Sequence, residues 1–143
     1  MVGKFDGIEI PKPTPALTED SKPYWEGCKR HELLIQRCQD CGHYRFPPGG
    51  VCPKCMSINT EWGRASGKGQ VYSWTIFHYV YHPAFSKDIP YNVALVQLDE
   101  GPLLHTNIVE CKNEDIYIGM PVEVIFEDVK GEISLPKFRP LSK

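Results

Sequence analysis

Four of the six cysteines form two close pairs, and their spacing restricts the fold more than any other feature of the sequence. Cys38-Gln39-Asp40-Cys41 and Cys52-Pro53-Lys54-Cys55 give the pattern C-x2-C-x10-C-x2-C. Two residues between paired thiolates let a tight turn direct both sulfurs at one ion, and the intervening hairpin can bring the pairs together into a tetrahedron. The pattern therefore predicts a closed structural metal site with the ligands Cys38, Cys41, Cys52 and Cys55.

The residues leave three interpretations of this pattern open. One structural zinc ion is favoured, an iron site of the kind found in electron carriers with similar cysteine spacing is second, and disulfides or free thiols are third. Disulfides are disfavoured because the first residues lack an apolar segment behind basic ones, so we see no secretory signal and expect a cytoplasmic protein. Cys28 and Cys111 lie outside the pattern and are expected to be packed thiols.

The rest of the sequence predicts a mainly β fold in three parts. Residues 1–32 should form a proline-bearing extended arm and a short helix that begins at Asp20 or Ser21 and ends near Arg30. Residues 33–66 should form a rubredoxin-like zinc ribbon, and residues 67–143 a five-stranded OB-fold barrel. The expected strands are 33–37 and 43–46 in the ribbon and 70–81, 91–99, 102–110, 121–128 and 134–138 in the barrel.

The net charge of −2 conceals an uneven distribution along the chain. Residues 22–68 contain eight basic and four acidic side chains, whereas residues 69–143 contain six and ten. This asymmetry is consistent with two modules that have different surfaces, although a solvated basic face without a partner explains it equally well. A barrel with an acidic balance is a poor candidate for holding a polyanion.

The sequence contains no arrangement typical of an autonomous active site. It has no G-x-S-x-G, no phosphate-binding glycine loop and no H-E-x-x-H. Glu110 and Glu114 flank Cys111 and disfavour its thiolate, so we do not expect Cys111 to act as a nucleophile. Five histidines are present, but nothing ties them into a catalytic set; they are His31, His43, His78, His82 and His105. We therefore predict no catalytic residues.

Residues 79–91 form the one long connection expected in the barrel. Aromatic and apolar side chains in a proline-bearing loop favour a docking surface or the wall of a ligand site. The alternative, that Phe85 and Tyr91 fold back over the barrel mouth, has equal weight. The candidate contacts with a partner or with a ligand are Tyr81, His82, Pro83, Phe85 and Tyr91.

Taken together, several stretches resemble one known family. In order they are PYWEG, LLIQRCQDCGHYRFPPGGVCPKC, IPYNVALVQLDEGPLLHTNIV, IGMPVEVIFED and LPKFRPL. This order is similar to that of the zinc-ribbon plus OB-fold proteins associated with acyl-CoA enzymes, over residues 18 to 140. The resemblance implies a non-catalytic accessory subunit that docks on a thiolase-superfamily enzyme and helps to shape its coenzyme A site. It also implies acyl-CoA as a ligand for the five contact residues of the 79–91 loop. Independently of the resemblance, no apolar run reaches the roughly eighteen residues of a membrane helix, so we expect no membrane association.

The leading hypothesis is therefore an accessory subunit of a thiolase-like acyl-CoA enzyme complex, with an acyl-CoA thioester at the interface. The alternative is a single-stranded nucleic-acid-binding module, because ribbons and OB-folds can bind single strands through stacked aromatic side chains. Residues 71–82 contain five candidates for stacking but no Lys or Arg, which disfavours this alternative; they are Tyr72, Trp74, Phe77, Tyr79 and Tyr81. An electron carrier is third and a standalone enzyme fourth.

Overall fold

A computed structural model describes residues 2–5, 8–129 and 133–141 of the 143-residue chain. The protein is mainly β, with 42% strand and 11% helix. A short helix, a three-stranded ribbon sheet and a nearly closed five-stranded barrel follow one another along the chain, which confirms the predicted fold class.

Residues 2–5 and 8–11 form a hairpin within the predicted extended arm, whereas residues 12–18, which contain Pro13 and Pro15, have no regular secondary structure. Strand β1 (Val2–Phe5) pairs with β2 (Ile8–Pro11) in an antiparallel hairpin. The prolines are compatible with this pairing because Pro11 ends the second strand, where no further ladder bond is needed.

The predicted short helix is present as α1 (Lys22–Lys29), with Pro23 in its first turn. Ser21 occupies the position before it, but the expected side-chain cap is wrong, because Ser21 Oγ accepts a hydrogen bond from the N–H of Thr18 at 3.0 Å. Tyr24 and Cys28, one turn apart, are buried against the rest of the protein. Among the residues placed by the structure, no helix is long and apolar enough to cross a membrane.

The ribbon sheet has β3 (Leu34–Cys38) at its centre, between β4 (Tyr44–Arg45) and β5 (Thr60–Arg64). Strand β5 was not predicted, because its sequence TEWGR lacks the apolar alternation that marks a strand. It pairs with β3 along its whole length, from Leu34 opposite Arg64 to Cys38 opposite Thr60.

The barrel strands follow the order β10-β9-β6-β7-β8. Their bounds are β6 (Lys68–Phe77), β7 (Tyr91–Leu98), β8 (Leu103–Thr106), β9 (Pro121–Val129) and β10 (Ile133–Pro140). The predicted strand 70–81 continued past the end of β6 at Phe77, and the predicted strand 102–110 continued past the end of β8 at Thr106. A bridge between Ile108 and Phe138 joins the segment after β8 to β10, which brings the two ends of the sheet together.

One hydrophobic cluster joins the helix, the ribbon and the barrel. Tyr24 and Cys28 of α1 and Ile35 of β3 belong to it, together with Val71 of β6 and the fully buried Phe138 of β10. The imidazole of His31, just beyond α1, adds a polar link to β9 through a 2.8 Å contact with Asp128. The helix therefore packs on both the ribbon and the barrel.

Gly69 allows β6 to lie close to β7. A Cβ atom at this position would be 2.3 Å from the carbonyl oxygen of Gln97, so we expect Gly69→Ala to lower the free energy of unfolding by about 3 kcal/mol. Gly63→Ala in β5 is the control, because a Cβ there has no neighbour within 4 Å, and we expect a change below about 1 kcal/mol. Equal urea-denaturation midpoints for the two variants would contradict this account.

Candidate metal centre and docking surface

Two tight turns bring the four paired cysteines together at one end of the ribbon. The Sγ atoms of Cys38, Cys41, Cys52 and Cys55 all lie within 4.8 Å of one another. The shortest contacts cross between the two pairs, at 3.5 Å for Cys38–Cys55 and 3.6 Å for Cys41–Cys52. Gly42 follows the first pair with a φ of 78°, as its position in the turn predicted.

This arrangement fits a tetrahedral metal ion. Bonds of about 2.3 Å from zinc to sulfur place the sulfurs of a tetrahedron about 3.8 Å apart, close to the distances between the pairs. The backbone N–H of Cys41 is the main cause that lowers the pKa of Cys38 to about 6, and the N–H of Cys55 lowers the pKa of Cys52. Both effects favour the thiolate form that a metal requires, whereas the pKa of Cys41 is raised by burial and that of Cys55 is raised mainly by its side-chain hydrogen bond with Cys38. The four cysteines are thus positioned to bind a metal.

A carboxylate links the two turns beside the sulfurs. Asp40 accepts hydrogen bonds from Ser57 Oγ and from Asn59 Nδ2, the latter at 3.1 Å. The bond from Ser57 is the main reason that the pKa of Asp40 is lowered. Because Asp40 lies between the first two cysteines and Ser57 follows the second pair, this contact holds the two turns in register.

The remaining two cysteines lie outside the cluster of four thiols. Cys28 is buried, and this burial raises the pKa of its thiol to about 11. Burial also raises the pKa of Cys111, with a further contribution from Asp115, whereas the sequence pointed to Glu110 and Glu114. Neither thiol has the electropositive surroundings of a reactive cysteine.

The structure divides the five candidate contact residues of the 79–91 loop into two groups. Tyr81 is 75% exposed and packs edge-on against Phe77 at 5.8 Å between ring centroids. His82 is also exposed, and its Nδ1 accepts the N–H of Ala84 at the start of the 3-10 turn Pro83–Phe85. The Pro83, Phe85 and Tyr91 side chains are half-buried.

Phe85 faces the proline-bearing segment that follows β2. Its ring lies 5.7 Å from that of Tyr91, and Lys12 Nζ lies 5.3 Å from its centroid. Lys12 also pairs with Asp88 at 2.5 Å. Phe85 and Tyr91 thus pack within this chain, so truncation of Phe85 should also affect stability.

From Ser73 onward in β6 and from Tyr91 to Leu95 in β7, the outward side of the sheet is uncharged, and the uncharged surface continues across β8. Cross-strand pairs place Thr75 beside Val93 and Phe77 beside Tyr91, whereas alternate residues of β7 such as Ala94 are buried in the core. We define the outer sheet face as these outward side chains of the three strands and the two tyrosines beyond β6: Ser73, Thr75, Phe77, Tyr79, Tyr81, Tyr91, Val93, Leu95, Leu103 and His105. It contains no Asp, Glu, Lys or Arg.

Tyr79 and Phe77 were not among the predicted contacts. Tyr79 is 69% exposed and lies 5.0 Å from Tyr81 between ring centroids. The alternation of β6 could have revealed Phe77, because Phe77 shares a strand face with Ser73 and Thr75. Trp74, which the nucleic-acid hypothesis used for stacking, packs against the hydrophobic core instead.

Apart from Lys68 at the start of β6, the charged side chains of the barrel strands lie on β9 and β10. Arg139 of β10 bonds to Glu123 of β9 at 3.1 Å and pairs with Glu110 at 3.5 Å. Lys137 of β10 donates to Asn107, and burial lowers its pKa. The acidic balance of residues 69–143 is therefore not carried by the outer sheet face.

Two family models match most of the chain. The ChsH2 rubredoxin-like zinc ribbon domain matches residues 25–57, and the ChsH2 C-terminal OB-fold domain matches residues 62–127. The first match includes β3, β4 and all four clustered cysteines, and the second includes β6 to β8 and most of β9.

The chain is also similar to individual proteins. It is 42% identical to a DUF35 domain-containing scaffold protein of Methanocaldococcus jannaschii, over 76% of this chain and 77% of the relative. It is 44% identical to a probable enoyl-CoA hydratase alpha subunit of Thermomonospora curvata over 90% of this chain, but it spans only 40% of the length of that relative. A solved structure, the Ltp2-ChsH2(DUF35) aldolase, superposes with a TM-score of 0.81 at 44% identity and covers 89% of this chain and 98% of the matched one.

Removal of one thiol should abolish metal binding. We expect Cys52→Ala to lose bound metal and to melt at a lower temperature, because binding energy at such a site contributes directly to folding. Cys111→Ala is the control, since Cys111 lies outside the cluster and should leave the metal content unchanged. Elemental analysis of the purified proteins and thermal melts provide the two measurements, and full metal content in Cys52→Ala would refute the ligand assignment.

Proposed function

The chain belongs to the DUF35 family of scaffold proteins with ChsH2-type zinc ribbon and OB-fold domains, and we propose that it is a non-catalytic docking subunit of an acyl-CoA enzyme. The partner is a thiolase-like subunit that supplies the catalytic residues. The names of two relatives, a hydratase alpha subunit and an aldolase that contains ChsH2, support membership of an enzyme complex.

The outer sheet face is the observation that carries this proposal. In a chain with 24% charged residues, an exposed face without Asp, Glu, Lys or Arg is unusual. Protein interfaces are depleted in charge at their centre and enriched in tyrosine and phenylalanine. Phe77, Tyr79 and Tyr81 form such a centre: the ring centroid of Tyr81 lies 5.8 Å from that of Phe77 and 5.0 Å from that of Tyr79. The partner surface that fits it is apolar and uncharged.

The metal in this proposal is one structural zinc ion held by the four clustered cysteines. Four thiolates fill a tetrahedron, so zinc would maintain the ribbon without taking part in the reaction. The alternative of iron is distinguished by elemental analysis of protein purified without added metal, because one equivalent of iron with a visible absorption band would replace zinc in this account.

An acyl-CoA thioester is placed at the junction between this chain and its partner. His82, Pro83, Phe85 and Tyr91 flank the exposed Tyr81 on this chain and remain the proposed contacts with the partner or with the thioester. The half-buried members of this group would act mainly by supporting the loop. The barrel adds no reactive cysteine of its own among the described residues, because the pKa of Cys111 is raised.

Binding of a single-stranded nucleic acid to the outer sheet face is the less well supported alternative. Stacking platforms for nucleic acids are accompanied by basic side chains that follow the phosphates. The tyrosines of the outer sheet face have no such neighbours on that face, and Trp74 packs against the core. Binding to a protein needs no cations at these positions.

Identification of the partner tests the function directly. We expect the tagged chain, expressed in its native host, to co-purify with a thiolase-like acyl-CoA enzyme encoded nearby, and the two proteins to remain together in gel filtration. The absence of a stable complex with any acyl-CoA enzyme would refute the proposed function.

The paired variant Tyr79→Ala/Tyr81→Ala tests the docking surface. Truncation of aromatic residues at the centre of an interface commonly weakens binding by tenfold or more, and we expect about this loss for the co-purified enzyme. The melting temperature should stay near that of the wild type because both side chains are exposed. Tyr117→Ala is the matched control, since Tyr117 is 55% exposed and lies outside the outer sheet face. Unchanged affinity of the paired variant in calorimetry would remove these tyrosines from the interface.

A further inference from the structure

Arg45 carries a buried charge with unpaired donors. Its side chain in β4 is only 6% exposed, and none of the ion pairs formed in the described parts of the chain includes it. Nη2 donates to Gly49 O at 2.9 Å and to Thr60 Oγ1 at 2.7 Å, whereas Nε and Nη1 have no hydrogen-bond acceptor there. A buried guanidinium without a countercharge is costly, so a nearby negative charge is expected.

The strand register places Arg45 on the same side of the ribbon as Cys38. Arg45 lies opposite Gln36 on β3, and Thr60 lies opposite Cys38. Residues two apart on a strand share a face, so Gln36 and Cys38 point to the same side, together with their cross-strand partners. The 2.7 Å contact to Thr60 shows that the guanidinium extends along this side toward the row that contains Cys38.

The proposed metal centre carries a net negative charge, and Arg45 has no negatively charged partner elsewhere in the described residues. One divalent ion with four thiolates leaves a formal charge of about −2. Cys41 and Cys55 are exposed and can be solvated by water, whereas Cys38 and Cys52 are buried. The negative charge on Cys38 therefore needs compensation from within the protein, and the 3.5 Å contact from the N–H of Cys41 supplies only a dipole.

Arg37, the residue before Cys38, already has partners of its own. Arg37 is exposed and points to the opposite side of β3. It donates to Gly42 O at 3.3 Å, lies 3.9 Å from Glu61 and packs over the ring of Tyr44. Arg37 thus provides a control cation that lies near the cysteines in sequence but is already paired.

We propose that the guanidinium of Arg45 is the internal countercharge of the metal–thiolate centre and a positioning residue for its buried side. The ion and the arginine then stabilise each other: the centre makes burial of the cation tolerable, and the cation offsets part of the negative charge of the centre. The inference concerns the metal centre alone, so its failure would leave the docking proposal untouched.

Zinc affinity of the full-length protein tests this role. Competition with a chromophoric chelator should show about tenfold weaker zinc binding for Arg45→Gln, the loss typical when a group that supports metal ligands is removed. Arg45→Lys keeps the charge and should stay within about threefold of the wild type, as should Arg37→Gln. The thiolate-to-metal absorption of the cobalt-substituted proteins should weaken only in Arg45→Gln.

Two results would overturn the proposal. Wild-type zinc affinity in folded Arg45→Gln would show that the centre needs no cation at this position. An equal loss in Arg45→Lys and Arg45→Gln would assign Arg45 to hydrogen bonding of Gly49 and Thr60 instead. Should Arg45→Gln fail to fold, Thr60→Val decides, because it removes one of these hydrogen bonds and retains the charge: zinc affinity near the wild type supports the countercharge, and a tenfold loss contradicts it.

Discussion

The convergence of four thiols is the constraint on which the ribbon depends. The three ribbon strands contribute few residues to the core, and β4 has only two residues, so apolar burial alone leaves the sheet weakly held. Leu33 and Ile35 fix the inner side of the ribbon against the helix and the barrel. The cysteine turns close the other end, where the contact of Asp40 with Ser57 joins them. The ribbon is thus held by packing on one side and by a metal-binding centre on the other.

Different strands of the barrel carry its charged pairs and its uncharged outer surface. Charged pairs such as Arg139–Glu123 are found on β9 and β10, whereas the outer sheet face on β6 to β8 is uncharged. The same strands supply the core through their inward residues, among them Val71 and Ala94. Strands that bury one face and expose an uncharged second face are suited to contact with another protein, since two layers of packing can share one sheet.

Local patterns predicted the fold better than they predicted the faces of its surface. The cysteine spacing is a local signal, and the thiol cluster follows from it with little help from the rest of the chain. Strand β5 and the hairpin of β1 and β2 were missed because their sequences contain glycine, acidic residues or proline, and their pairing depends on neighbours distant in sequence or on a short turn. The loop aromatics share one composition, yet Phe85 faces the chain itself and Tyr81 faces solvent. Composition does not determine that direction, because tertiary contacts such as those of Lys12 set it.

Exposed tyrosines can bind either a nucleic acid or a protein, and the distribution of charge distinguishes these two kinds of partner. Binding to a polyanion releases counterions and weakens steeply as salt increases, because cations at the interface supply much of the free energy. An uncharged face gains affinity from burial of apolar surface, which salt screens only slightly. With all charged side chains of the barrel outside the outer sheet face, association there should depend on shape and aromatic packing, and long-range attraction should contribute little to its rate. These are the properties expected of the protein-docking surface that we propose, and they differ from those of a surface that binds a polyanion.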